Sequence, residues 1–113
     1  MKFIFRSLGV YVLDGVVIGA ERKFTRALRN STKSVQEILL TVIDTNGPKG
    51  GVDKLCRVTV RLARSGWLTL EERDANLHAG MARLAERMSR SVSRAIERRH
   101  SRESIRHQSY PQV

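Results

Sequence analysis

Two alternating strand patterns on either side of a glycine-rich segment constrain the fold of this chain more than any other feature. Residues 37–43 place three apolar side chains on one face of a strand: Ile38, Leu40 and Val42. Residues 54–63 repeat the pattern with four apolar side chains: Cys56, Val58, Val60 and Leu62. Because successive side chains of a strand point to opposite faces, each run predicts a strand with one buried face. Together the two runs predict a half-buried antiparallel sheet.

The segment between these strands, residues 44–54, reads Asp-Thr-Asn-Gly-Pro-Lys-Gly-Gly-Val-Asp-Lys. A phosphate-binding P-loop requires Gly-Lys-Ser/Thr at the start of a helix, whereas Lys49 is followed by Gly50 and then by a strand. A hairpin connection is sufficient to explain the glycines, which adopt left-handed backbone readily. Since connections of this length are often functional, a docking loop stays open as an alternative.

The rest of the chain predicts two more strands and two helices. Residues 1–6 alternate and predict a first strand, and residues 67–71 follow a turn signal and predict a fourth. A first helix begins near Asp14, its predicted N-cap, and buries Val17, Ala20, Phe24 and Leu28. A long second helix begins at Asp74, again as the predicted N-cap. Its apolar positions are Leu77, Met81, Leu84, Met88, Val92 and Ala95 or Ile96.

The order β-α-β-β-β-α predicts an α+β fold, a mostly antiparallel four-stranded sheet with two helices packed on one face. Residues 1–99 form a single predicted domain. Beyond about Arg99 the apolar period stops, so residues 100–113 are predicted to be a disordered basic and polar tail.

Net charge restricts the partners of this domain. The chain has 21 Lys and Arg residues against 11 Asp and Glu, a formal net charge of +10. A small domain this basic is expected to bind polyanions, either nucleic acid or an anionic membrane surface. An amphipathic helix on a membrane would leave the predicted strands uncovered, which favours nucleic acid. The single cysteine excludes an internal disulfide and fits a reducing cytoplasm.

Two nearly unmixed basic stripes flank the apolar faces of the predicted helices. The second helix carries Arg83, Arg87, Arg90, Arg94 and Arg98 at steps of four, three, four and four. The first helix carries Arg22, Arg26, Arg29 and Lys33. Like charges at this spacing repel, so two such stripes predict a polyanionic partner. Trp67 is the one aromatic residue predicted to be exposed, so recognition of RNA shape and backbone is expected over recognition of splayed bases.

No constellation in the sequence predicts catalysis, a metal or a cofactor. His78, His100 and His107 have no ligand spacing with one another or with Cys56. Cys56 lies on the same face of its predicted strand as Val58, Val60 and Leu62, which predicts a core position. We therefore expect no enzymatic activity, no cofactor and no small-molecule substrate.

The run at residues 44–58, which continues the glycine-rich segment through Leu-Cys-Arg-Val, resembles a signature of short ribosome hibernation-promoting factors, which are ribosome-associated inhibitors. Residues 74–81, Asp-Ala-Asn-Leu-His-Ala-Gly-Met, followed by an arginine-rich helix, are similar to the same family. The resemblance covers residues 1–99 and implies the β-α-β-β-β-α fold.

The family resemblance also implies a cytoplasmic, non-enzymatic factor that occupies the decoding region of the small ribosomal subunit. Such a factor blocks the tRNA and mRNA sites and inhibits translation during stress or stationary phase. The glycine-rich loop would then be a docking element as well, with Lys49, Lys54 and Arg57 extending the basic surface of the helices. We expect the protein to be monomeric off the ribosome. A general structured-RNA-binding domain of the double-stranded-RNA type is the alternative.

Overall fold

The computed structural model describes residues 1–45, 54–64 and 66–109, with side chains described through residue 102. Within these ranges the predicted order β-α-β-β-β-α is confirmed, with one short 3-10 helix added after the first α-helix. The elements are β1 (Lys2–Leu8), α1 (Asp14–Ala27), the 3-10 helix (Arg29–Ser34), β2 (Val35–Asp44), β3 (Lys54–Leu62), β4 (Gly66–Asp74) and α2 (Leu77–Ser109).

The four strands form one mixed sheet in the order β1-β2-β3-β4. β1 and β2 pair in parallel, because α1 carries the chain back to the end of the sheet at which β1 begins. The other two pairings are antiparallel, as predicted. Asp44 lies opposite Lys54 in the register, so the glycine-rich segment joins a β-hairpin. Residues 46–53, with Lys49 among them, lie outside the described residues.

Both helices pack on the same face of the sheet, and the core lies between the two layers. The predicted alternation is confirmed: the apolar faces of β2 and β3 are buried, while Thr59 and Arg61 lie on the opposite face. Phe24 of α1 and Leu84 and Met88 of α2 are fully buried against these strands. Each such side chain stabilises the fold by about 1.5–3 kcal/mol relative to its exposed state.

Both predicted helix caps are wrong in detail. Asp14 is the first residue of α1, preceded by Leu13, and no side-chain hydrogen bond caps the helix. Its carboxylate is still favourable there, since it lies at the positive end of the helix dipole. At α2, Asn76 is the cap, and its Oδ1 accepts a hydrogen bond from the Ala79 N–H at 3.1 Å. Asp74 instead accepts from the Asn76 N–H at 2.7 Å, forming a turn that leads into the cap.

The second helix continues to Ser109, which differs from the disordered tail predicted for residues 100–113. No glycine or proline occurs between Gly80 and Pro111, so nothing in the sequence breaks the helix over this stretch. The end of the apolar period marked the end of packing against the sheet and not the end of helical backbone. Residues 110–113 lie outside the described residues.

Cys56 is a core residue, as its place in the alternation of buried and exposed side chains along β3 predicted. It is 1% exposed, and its Sγ lies 3.5 Å from where a Cβ on Gly80 would stand. Burial raises the pKa of the Cys56 thiol to about 11, with a further contribution from the nearby carboxylates of Asp74 and Glu72. The thiol therefore stays protonated at neutral pH and acts as a small apolar group.

Replacing Cys56 with Ser should lower the free energy of unfolding by about 1–3 kcal/mol, because the substitution buries a hydroxyl group without a partner. Urea unfolding followed by circular dichroism measures this change. Cys56→Ala, which loses packing but adds no polar group, separates the two effects. A Cys56→Ser variant as stable as the parent would show that the thiol does not lie in an apolar site.

Candidate nucleic-acid interface

The two helices lie side by side on the sheet and form a basic groove between them. The groove has a volume of about 790 Å³. Its charged lining consists of five cations and one acid: Arg22, Lys23, Arg26, Arg29, Arg83 and Glu86. Small residues form the floor, among them Gly19, Ala82 and Ala85. We call this feature the helix groove.

Two arginines of α1 and one of the 3-10 helix line the helix groove. Arg22, Arg26 and Arg29 are exposed and form no ion pair with any residue in the described part of the chain. Arg22 and Arg26 lie on the side of α1 turned away from Phe24, as the sequence predicted, whereas Arg29 begins the 3-10 helix that follows α1. Unpaired guanidinium groups beside one another raise the local positive potential, and their donors suit phosphate oxygens.

Arg83 and Arg87, the first two arginines of the predicted stripe on α2, are ion-paired with β4. Arg83 Nε lies 2.9 Å from Glu72 Oε1, and Arg83 Nη2 lies 2.6 Å from Asp74 Oδ2. Arg87 Nη1 lies 2.9 Å from Glu72 Oε2 and donates to the Glu71 carbonyl at 2.7 Å. We call these contacts the β4 clamp, since they hold the start of α2 against the edge strand.

The electrostatics of the β4 clamp follow from its hydrogen bonds. The backbone N–H of Asn76, together with the Arg83 guanidinium, lowers the pKa of Asp74 below its usual value. Asp74 and Glu72 in turn raise the pKa of Arg83. Asp74 is therefore ionised at neutral pH, and the charges of Arg83 and Arg87 are already balanced within the protein by Asp74 and Glu72. The predicted stripe is thus not uniformly available to a polyanion.

The remaining arginines of the stripe form an exposed ridge. Arg90, Arg94 and Arg98 are exposed and lack an ion-pair partner within the described residues. They lie outside the lining of the helix groove, further along α2. We call these three residues the α2 ridge. Lys33 lines a separate hollow between the 3-10 helix and α2, together with Arg29 and Glu97.

Of the predicted hairpin cations, Arg57 does not extend the surface of the helices. Lys54 lies 3.6 Å from the Asp44 carboxylate across the hairpin. Arg57 shares its strand parity with Thr59, so it lies on the face of the sheet opposite the helices. There its Nε lies 2.6 Å from Glu71 Oε2. Strand alternation in the sequence already predicted that Arg57 faces away from the core, and this prediction conflicts with grouping Arg57 with the cations of the helices.

Sequence reasoning missed two exposed residues of interest. Lys23 lines the helix groove, although it lies outside the predicted stripe of α1. Tyr11 is 84% exposed, so Trp67 at 60% is not the one exposed aromatic residue that the sequence predicted. Tyr11 follows Val10, which packs partly against the core, and this alternation in the connection before α1 was the available signal.

Among the described residues no three His, Cys, Asp or Glu side chains come together as metal ligands. Neither helix of the described chain has the length and hydropathy needed to cross a membrane.

The fold is similar to that of two solved structures. A ribosomal subunit interface protein from Coxiella burnetii matches with a TM-score of 0.71 and 13% identity, covering 83% of this chain and 96% of the other. The N-terminal domain of Thermus thermophilus Protein Y matches with a TM-score of 0.66 and 20% identity, covering 83% and 98%. No family model matches the sequence, and no curated protein matches it either. The fold that the resemblance to hibernation-promoting factors implied is confirmed.

Replacing Glu72 with Gln should lower the free energy of unfolding by about 1–2 kcal/mol, because two arginines lose their shared carboxylate while solvent screens part of the loss. Glu86→Gln is the matched control, since Glu86 is exposed and makes no ion pair within the described residues. Urea unfolding of the three proteins measures the difference. Equal stability of the Glu72 and Glu86 variants would contradict the structural role of the β4 clamp.

Proposed function

We propose that this protein binds RNA of the small ribosomal subunit through the helix groove and the α2 ridge. The observation that carries the proposal is the set of six exposed arginines without an ion-pair partner among the described residues: Arg22, Arg26, Arg29, Arg90, Arg94 and Arg98. These arginines belong to α1, to the 3-10 helix that follows it and to α2, whereas Glu72 and Asp74 of β4 are paired with other arginines.

The chemistry of this surface favours a nucleic-acid backbone. Arginine binds phosphate through two parallel hydrogen bonds, which a lysine cannot do. Arg22, Arg26 and Arg29 offer phosphates contacts along one wall of the groove, and each neutralised phosphate releases counterions. The floor of small residues allows a phosphate strand to approach the helices closely. Such contacts read the shape and charge of RNA and carry little sequence information.

The likeness of the fold to a ribosomal subunit interface protein supports the ribosome as the source of that RNA. The motif resemblance of residues 44–58 and 74–81 supports the decoding region of the small subunit as the binding site. There the protein would exclude tRNA and mRNA and inhibit translation during stress or stationary phase. It would act in the cytoplasm by binding alone, without catalysis, as a monomer off the ribosome.

A domain of the double-stranded-RNA type is the less favoured candidate. That topology lacks the first strand, whereas β1 here pairs along its whole length with β2. It also places lysines at the start of its second helix, where this chain has Asn76 and Leu77.

Charge reversal at unpaired arginines tests the proposal without disturbing the β4 clamp. The groove variant changes Arg22, Arg26 and Arg29 to Glu, and the ridge variant changes Arg90, Arg94 and Arg98 to Glu. Both should fold, because all six side chains are exposed. Each variant should co-sediment weakly with isolated small subunits and fail to inhibit cell-free translation, and each lost phosphate contact should lower the salt slope of binding by about one.

The matched control changes Lys2, Arg6 and Arg73 to Glu, which gives the same change in net charge on the face of the sheet away from the helices. Its binding should fall less than that of either helix variant, as expected of a general charge effect. If all three variants lost the same amount of affinity for small subunits, binding would not depend on the helix groove and the α2 ridge in particular. Retained inhibition by both folded helix variants would contradict the proposed function itself.

A further inference from the structure

The face of the sheet that the helices leave open carries the chain's single tryptophan. Trp67 on β4 is 60% exposed. The next residue, Leu68, packs against the core, so the indole of Trp67 lies on the side away from both helices. One exposed aromatic side chain needs no special explanation, and the case for a site depends on the groups fixed around it.

Arg61 is held over the indole by the strand register and by a hydrogen bond. It lies opposite Trp67 in the β3–β4 pairing, with its guanidinium carbon 5.7 Å from the ring centroid. Its Nε donates to Gln36 Oε1 at 2.9 Å. Gln36 lies where the β2–β3 register shifts, and such a bulge redirects a side chain. We call Gln36, Arg61 and Trp67 the Trp67 platform.

The platform retains hydrogen-bonding capacity for a ligand. Gln36 accepts a hydrogen bond only from Nε of Arg61. The two Nη groups of Arg61 have no partner among the described residues. They can donate to a phosphate through the two parallel bonds that guanidinium groups favour. An indole beside an anion-binding guanidinium matches a nucleotide, which combines a flat base with a phosphate.

The charge around the platform also suits this ligand. Arg64 lies in the turn between β3 and β4 and is exposed. Its φ of 69° is in the left-handed region, where a residue with a Cβ is disfavoured by about 1–2 kcal/mol and glycine is not. The chain thus places a cation at this turn despite the conformational cost. Of the two acids on this part of the face, Glu71 is paired with Arg57, and Glu37 lies opposite Arg61.

We infer that the Trp67 platform binds one unpaired nucleotide of single-stranded RNA, with the base stacked on the face of the indole that Arg61 does not cover and its phosphate held by Arg61. The inference rests on the proposed RNA partner and adds a second contact on the opposite face of the sheet from the helix groove. An open sheet face with an aromatic side chain is a common way to bind unpaired bases. Bases inside a duplex are already stacked and cannot reach the indole, so the platform discriminates single strands from double strands.

The single tryptophan makes the contact directly measurable. Adding a short oligouridine or oligoadenosine to the full chain should quench Trp67 fluorescence, whereas an RNA hairpin duplex with the same number of phosphates should not. For labelled oligouridine, Trp67→Ala should raise the Kd by about 5- to 150-fold, the range that loss of one stacked base produces. Trp67→Phe should restore most of the affinity. Duplex binding should be unchanged in both variants.

Tyr11→Ala is the matched control, because Tyr11 is a more exposed aromatic residue in the connection that follows β1, the edge strand opposite β4. It should leave both Kd values unchanged. Three results would overturn the inference: no binding of single-stranded RNA by the parent chain, equal single-strand affinity in Trp67→Ala, or equal losses for single strands and duplex. Loss of subunit binding by Trp67→Ala without any effect on oligonucleotides would assign the face to a protein partner, which also overturns it.

These outcomes are separable from failure of the proposed function. If the groove and ridge variants bind small subunits as well as the parent does, the proposed surface is wrong whatever Trp67 shows. If those variants fail to bind subunits while Trp67→Ala binds oligouridine normally, the proposed function stands and the nucleotide platform does not.

Discussion

Burial of one sheet face beneath two helices determines where the charged groups of this chain can lie. Phe24, Leu84 and Met88 are fully buried, and the helices must turn these residues toward the strands. The long basic side chains are then confined to the outer helix surfaces and to the open face of the sheet. Because α1 and α2 lie next to each other on the same face, their outer surfaces meet and form the helix groove. The basic surface is thus a direct consequence of how the core is covered.

Carboxylates on β4 divide the arginines into two functional groups. Glu72 and Asp74 hold Arg83 and Arg87, so these arginines stabilise the packing of α2 on the edge strand. Further along α2 no acid of the sheet pairs with Arg90, Arg94 or Arg98 within the described residues. A single row of arginines in the sequence therefore serves packing at one end and is available for binding at the other. Replacing all arginines of the row at once would not distinguish a loss of stability from a loss of binding.

The sequence was sufficient to predict those features that depend on local pattern. Alternation in residues 37–43 and 54–63 predicted which side chains of β2 and β3 form the core, and periodicity predicted the buried faces of both helices except at Val17. Val16, and not the predicted Val17, packs against the core. The cap of α2 was misplaced by two residues, since Asp74 and Asn76 both suit that position and only the hydrogen bonds distinguish them. Pairing of Arg83 with Glu72 depends on a contact between separate elements, which no local pattern reports. The face on which Arg57 lies follows from strand parity, but its partner Glu71 follows only from the β3–β4 register.

The salt dependence of binding to isolated small ribosomal subunits tests the central claim most directly. If the six unpaired arginines of the helix groove and the α2 ridge each neutralise a phosphate, the affinity should fall by about 10³-fold or more between roughly 50 and 200 mM salt. A plot of log affinity against log salt concentration should then be linear and steep. Binding that is insensitive to salt over this range would contradict an electrostatic RNA interface on the two helices.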